Sequence, residues 1–205
     1  MPEQPIPFAG IQIGAVSFVD EGVETVLDLL AERGGVNALM LATPTFTRGT
    51  GGRQIPGHPL PDHGVQQYDP EFRGGSYTAV DPRYFGGTML YEGLRAPELG
   101  KWDLFQAVLP AARARGFQCY AWVEESAGSP LARYLPNFPK VLELDVYGRK
   151  APTPCFNHPD YRQWHLSIIE AYLKSYDLDG IMWCSERCGP LDRLLHGPTE
   201  ARSIV

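Results

Sequence analysis

Four short apolar runs, joined by stretches that each hold an amphipathic helix, constrain the fold of this chain more than any other feature. The runs are "IQIGAVSF" (residues 11–18), "NALMLATPTF" (37–46), "FQCYAWVEE" (117–125) and "GIMWCS", which follows Asp179. After the first, Asp20 stands where it can cap a helix whose Val23, Val26, Leu27 and Leu30 form one stripe, closed by Gly34–Gly35. Residues 102–115 repeat the pattern with Leu104, Phe105, Val108 and Leu109, and Pro110 predicts a kink or a late start. Asn157–His158–Pro159 opens a third helix, capped by Asn157 or His158, with Tyr161, Trp164, Ile168, Ala171 and Tyr172 on one face. Strand, helix and strand in succession imply parallel strands with right-handed crossovers. The expected fold class is α/β, built of parallel (β/α) units in one domain over residues 1–205.

The long connections all follow strands: residues 47–101 after the second run and 126–155 after the third. In doubly wound sheets and in (β/α) barrels alike, the site lies at the carboxyl ends of the strands. That end is therefore the expected functional face.

Alternation decides which side chains meet there. On the fourth strand Met182, Cys184 and Glu186 share one face, and Ile181, Trp183 and Ser185 the other. On the third, Cys119, Ala121, Val123 and Glu125 share a face, opposite Tyr120, Trp122 and Glu124. The fourth strand ends in Glu186–Arg187, then Gly189–Pro190 stops regular structure, so Glu186 is expected in the mouth of the site. Glu125 is the second candidate carboxylate, with Glu124 beside it. The first long loop carries His58, Asp62, His63, Tyr68, Asp69, Arg73, Tyr77 and Tyr84. Aromatic rings among acids and amides suit sugars, which present apolar faces and many hydroxyls. His63, Tyr68 and Asp69, with Asn157 and Trp122, are the expected substrate-binding residues, and Arg187 is expected to orient Glu186 or bind substrate. His58, Asp62 and His63 lack a third metal ligand, and no metal is assigned.

Other classes are disfavoured. A net charge of −6 with no basic run argues against nucleic acid and against an anionic membrane surface. No apolar stretch has the length to span a bilayer. "MPEQPIPFAG" lacks the regions of a signal peptide, so a cytoplasmic location is expected. The four cysteines form no CxxC pair and read as reduced thiols, and Cys184, Cys188 and His196 match no zinc spacing. GxGxxG, GxxxxGK[ST] and GxSxG are absent, and no cofactor is expected.

Three stretches, "GVNALML", "KWDLFQAVLPAARARGFQCYAWVE" and "LDVYGRKAPTPCFNHPDYRQWHLSIIEAYLKSYDLDGIMW", resemble glycoside hydrolase-like proteins with TIM-barrel catalytic domains, loosely related to the α-amylase-like barrels. The resemblance spans roughly two thirds of the chain. It implies a partial TIM barrel of four strands, incomplete at its C-terminus, that acts on or binds a carbohydrate. Glu186 would be the general acid/base, its pKa raised by burial, with Glu125 as the internal second carboxylate. Two departures stand out. Met182, Trp183 and Cys184 occupy the stretch where such barrels place an inward carboxylate. A complete barrel also takes about 250 residues, so activity is expected only once a further half-barrel completes the fold. Two other readings remain: a metal-dependent sugar isomerase or hydrolase on the same barrel, and a non-catalytic half-barrel that binds sugar or pairs with itself or a missing C-terminal half.

Overall fold

The apolar runs assemble into one parallel sheet. The computed structural model describes residues 7–43, 73–125, 135–144 and 148–185. Strands β1 (Gly10–Gly14), β2 (Ala38–Ala42), β3 (Gln118–Glu125) and β6 (Gly180–Ser185) lie side by side in chain order. Register runs straight across: Gln12 opposite Met40, Met40 opposite Tyr120, Tyr120 opposite Gly180. One residue pair higher, Gly14, Ala42, Trp122 and Met182 form the next row. With helices between consecutive strands, this is a partial parallel α/β fold.

Each strand turns alternate residues toward the helices. Leu39 and Leu41 of β2 and Cys119, Ala121 and Val123 of β3 are buried there, with Ile11, Ile13 and Ile181 packed against them. Helix α2 (Val23–Glu32) contributes Val26 and Leu27. Helix α3 (Leu104–Ala114) adds Leu104, Phe105 and Val108, and α4 (Pro159–Ser175) adds Ile168 and Tyr172. Phe105 wedges between two rings, its centroid 5.3 Å from that of Tyr172 and 4.8 Å from that of Tyr176.

Local signals set the helix ends. Asp103 caps α3, its Oδ1 accepting from the Gln106 N–H at 3.0 Å. The helix begins there, two residues later than its apolar pattern suggested, and runs on through Pro110. His158, rather than Asn157, caps α4 through an Asp160 N–H to Nδ1 contact of 3.2 Å, with Pro159 in the first turn. The first run behaves differently from its sequence pattern. Its strand stops at Gly14, and Ala15–Glu21 form a short helix, α1, which buries Ala15, Val16 and Phe18. Asp20 consequently sits inside α1, and Gly22, at φ 87°, makes the break into α2. A short apolar run carries no period long enough to separate strand from helix.

The connection between β2 and α3 contributes to the core. From residue 73 onward it has almost no regular structure, yet Tyr77, Phe85, Leu90, Leu94 and Ala96 are buried. Ser76 forms a single parallel bridge with Arg95, and Glu98 accepts the backbone N–H groups of Arg73 and Gly74. Thr88 and Met89 then tie the segment to Asp160 at the start of α4. A small antiparallel hairpin, β4 (Leu142–Leu144) with β5 (Lys150–Pro154), precedes α4.

Gly75 is the tightest point of that segment. Its φ is +138°, and a Cβ there would lie 2.7 Å from the Leu94 carbonyl oxygen and 2.8 Å from the Ala96 nitrogen. Both atoms are held by hydrogen bonds to Ser76 and cannot retreat. Gly75→Ala should therefore lower unfolding free energy by about 2–4 kcal/mol, measured by urea unfolding. Unchanged stability would show that the segment does not hold this conformation.

Candidate functional site

The two ends of the sheet differ in chemistry. At the amino ends, Asp179 clamps β3 to the start of β6. Its Oδ2 accepts the Cys119 N–H and an Arg113 guanidinium N–H, each at 2.6 Å, while its own N–H donates to the Cys119 carbonyl at 2.8 Å. Arg113 also donates to the Asp177 carbonyl at 2.9 Å. Partial burial pushes the Asp179 carboxyl up, but the Cys119 N–H and the Arg113 charge outweigh it and hold the group below the usual carboxylate range. A carboxyl whose pKa is lower folded than unfolded adds stability above its unfolded pKa, near 4, and loses it as pH falls through the folded value. Asp179→Asn should cost about 1–2 kcal/mol at pH 7, since the ion pair is partly solvated, and should flatten the fall in stability between pH 5 and pH 3. Chemical unfolding at those pH values checks this; an unaltered pH dependence would contradict it. Cys119, buried against the helices, has its thiol pushed up to about 11 by that burial, which makes it a packing residue and no nucleophile at neutral pH.

The carboxyl ends are built otherwise. Leaving β2, Thr43 donates its N–H to the Trp122 carbonyl at 2.9 Å, and its hydroxyl shares a 3.2 Å hydrogen bond with Tyr172. Ser76 and Thr78 meet hydroxyl to hydroxyl at 3.0 Å close to Tyr172. Burial pushes the Tyr172 hydroxyl up in pKa, so it stays neutral. This buried cluster fixes the exit of β2 against α4 and leaves the opposite face of the sheet to other groups.

That opposite, inner face carries Gln12, Met40, Tyr120, Trp122 and Met182. The Tyr120 ring lies over Gly180, where a Cβ would meet it at 3.3 Å. Gln12 Nε2 reaches Met182 Sδ at 3.7 Å, joining the first strand to the last across the sheet. Toward the carboxyl end Trp122 is buried, and beyond it the backbone sets Glu124 opposite Cys184 and Glu125 opposite Ser185. By strand alternation position 124 belongs to the face of Trp122, and position 125 to that of Cys119, Ala121 and Val123. Trp183 turns to the helix side, 4.5 Å from the His165 ring. His165 is also ringed by Phe156, Tyr161 and Trp164, so it is buried.

Of the residues that the sequence suggested for the site, Trp122 stands on the inner face near the carboxyl end. Glu125 lies at the tip of β3, and Asn157 is exposed just before the cap of α4. Glu186, Arg187, His63, Tyr68 and Asp69 lie outside the described residues. Gln12 was not singled out in advance; the signal for it was a polar residue alternating with Ile11 and Ile13. Among the described residues, no three of His, Cys, Asp or Glu are grouped to hold a metal ion, and no helix is long and apolar enough to cross a membrane.

No family model and no curated protein matches the chain. Among solved structures it is similar to a noncanonic maltogenic α-amylase from Thermotoga neapolitana, with a TM-score of 0.52 at 14% identity. That likeness covers 96% of this chain and 43% of the amylase, so the chain spans less than half the length of that enzyme. At this identity the likeness is one of fold.

Proposed function

We propose that this chain is glycoside hydrolase-like and acts on or binds a carbohydrate at the carboxyl ends of β3 and β6. The observation that carries the reading is the register of those two tips. Glu125 pairs with Ser185, and Glu186 follows Ser185 directly. Position 124, on the face of Trp122, pairs with Cys184 in the same register, and adjacent strands lie about 4.8 Å apart. Glycoside cleavage uses two carboxyl groups about 5 to 9.5 Å apart, so acids on neighbouring strand tips suit it. Glu186 would protonate the leaving oxygen, the Glu124–Glu125 pair would supply the second carboxylate, and Trp122 would stand behind the sugar ring. Arg187, Tyr68, Asp69, His63 and Asn157 are the groups proposed to bind hydroxyls. The fold likeness to an amylase supports this reading at the level of architecture.

Titration with a panel of oligosaccharides, followed by tryptophan fluorescence, tests it. Saturable binding is expected for at least one sugar, with Trp122→Ala weakening it at least tenfold, as loss of about 1.4 kcal/mol of contact would do. No response from any sugar, together with no hydrolysis of any glycoside, would remove the carbohydrate reading.

A further inference from the structure

We propose that the Tyr172 hydroxyl is a positioning residue: acting through Thr43, it holds the end of β2 against β3 and so keeps Trp122 in place for a sugar. The inference rests on the carbohydrate reading for its ligand and on four buried hydroxyls for its geometry. Thr43, Ser76 and Thr78 are at most 1% exposed, and Tyr172 is 4% exposed. They come from three separate stretches: the exit of β2, the 73–103 segment and α4. Packing alone does not require them. Val and Phe have nearly the shapes of Thr and Tyr, and each buried hydroxyl costs free energy unless it finds a partner. What a satisfied buried network adds is a single arrangement of the groups that make it.

That arrangement lies one backbone bond from Trp122. The Thr43 N–H donates to the Trp122 carbonyl at 2.9 Å, the last rung of the β2–β3 ladder among the described residues. The Thr43 hydroxyl meets the Tyr172 oxygen at 3.2 Å. Rungs at strand ends open most readily. Here the residue that donates the rung is tied behind the sheet to a phenol that is itself held. Phe105 and Tyr176 meet its ring edge-on, with centroids 5.3 Å and 6.5 Å away. Alternation sends the Thr43 side chain to the helix side and Trp122 to the inner face. The phenol therefore does not touch the sugar and acts on it through one backbone hydrogen bond. An aromatic ring held this way loses little freedom when a ligand stacks on it, and the saving appears as affinity.

Tyr172→Phe and Thr43→Val each remove one hydroxyl at nearly constant shape, and Thr43→Ser keeps it. Hydrogen exchange at the Thr43 amide reads the rung, and titration with oligosaccharides, followed by tryptophan fluorescence, reads the site. In both deletion variants the Thr43 amide should exchange at least tenfold faster and sugar affinity should fall at least fivefold. Thr43→Ser should stay within twofold of the unaltered protein in both. The Cys119 amide, bonded to Asp179 at the other end of β3, should keep its rate, which a general loss of stability would not allow. Unchanged exchange at Thr43, equal acceleration at Cys119, or equal losses in Thr43→Ser and Thr43→Val would each overturn the proposal. So would faster exchange with unaltered affinity. No sugar bound by the unaltered protein would instead overturn the carbohydrate reading, and the role of Tyr172 toward a sugar with it, whatever exchange shows at the end of β2.

Discussion

Asp103→Ala should unfold with about 3–5 kcal/mol less free energy than the unaltered protein, the largest stability loss expected from any single substitution at a polar residue here. Asp103 is only 6% exposed and holds three separate pieces of the chain together. Its Oδ1 caps α3 at Gln106, while Oδ2 accepts the Ala79 N–H and the Tyr176 hydroxyl, each at 2.7 Å. Removing the carboxyl group strips a helix cap worth about 1 kcal/mol and leaves a backbone donor and a phenol without an acceptor in a half-buried site. Tyr176 is pushed up in pKa by burial and by that bond to Asp103, so its hydroxyl remains a donor throughout the neutral range. Tyr176→Phe removes one donor and leaves Asp103 with two, so it should cost only about 1 kcal/mol. In the double variant the two losses should fall short of additive, because they share one hydrogen bond. Equilibrium unfolding of the three variants measures this. A loss below 1 kcal/mol for Asp103→Ala would mean that the 73–103 segment does not lean on α3 as described.

Much of this architecture was legible in the sequence because it is periodic. The alternation of apolar strands with striped helices gave the parallel order, and the stripe of Tyr161, Trp164, Ile168 and Tyr172 is the buried face of α4. What the sequence hid is aperiodic. Tyr77, Phe85, Leu90 and Leu94 follow neither a period of two nor of 3.6, so a segment that reads as an open loop turns out to fill the core. The β4–β5 hairpin escaped for a related reason: "KAPTP" holds two prolines and reads as a connection. The burial of His165 is hidden for a like reason, since two of its neighbours, Phe156 and Trp183, come from outside its own helix. Of the candidate site, alternation indicated Trp122 and the glutamate pair. Which face of β3 is the inner one required the packing of Cys119, Ala121 and Val123 against the helices to be known.

The second large effect concerns Glu186. A general acid contributes by protonating the departing oxygen, and such proton transfers account for about 10²–10⁴-fold in rate. The contribution depends on the leaving group: an alkoxide of a sugar needs the proton, whereas a nitrophenolate departs without it. The most direct test is therefore the hydrolysis rate of Glu186→Gln, relative to the unaltered chain, on two glycosides of the same sugar with these two leaving groups. A fall of about 10²–10⁴-fold on the sugar leaving group, with less than about tenfold on the nitrophenyl one, is the predicted result. Equal losses on both substrates, or none on either, would contradict the assignment of Glu186 as the acid.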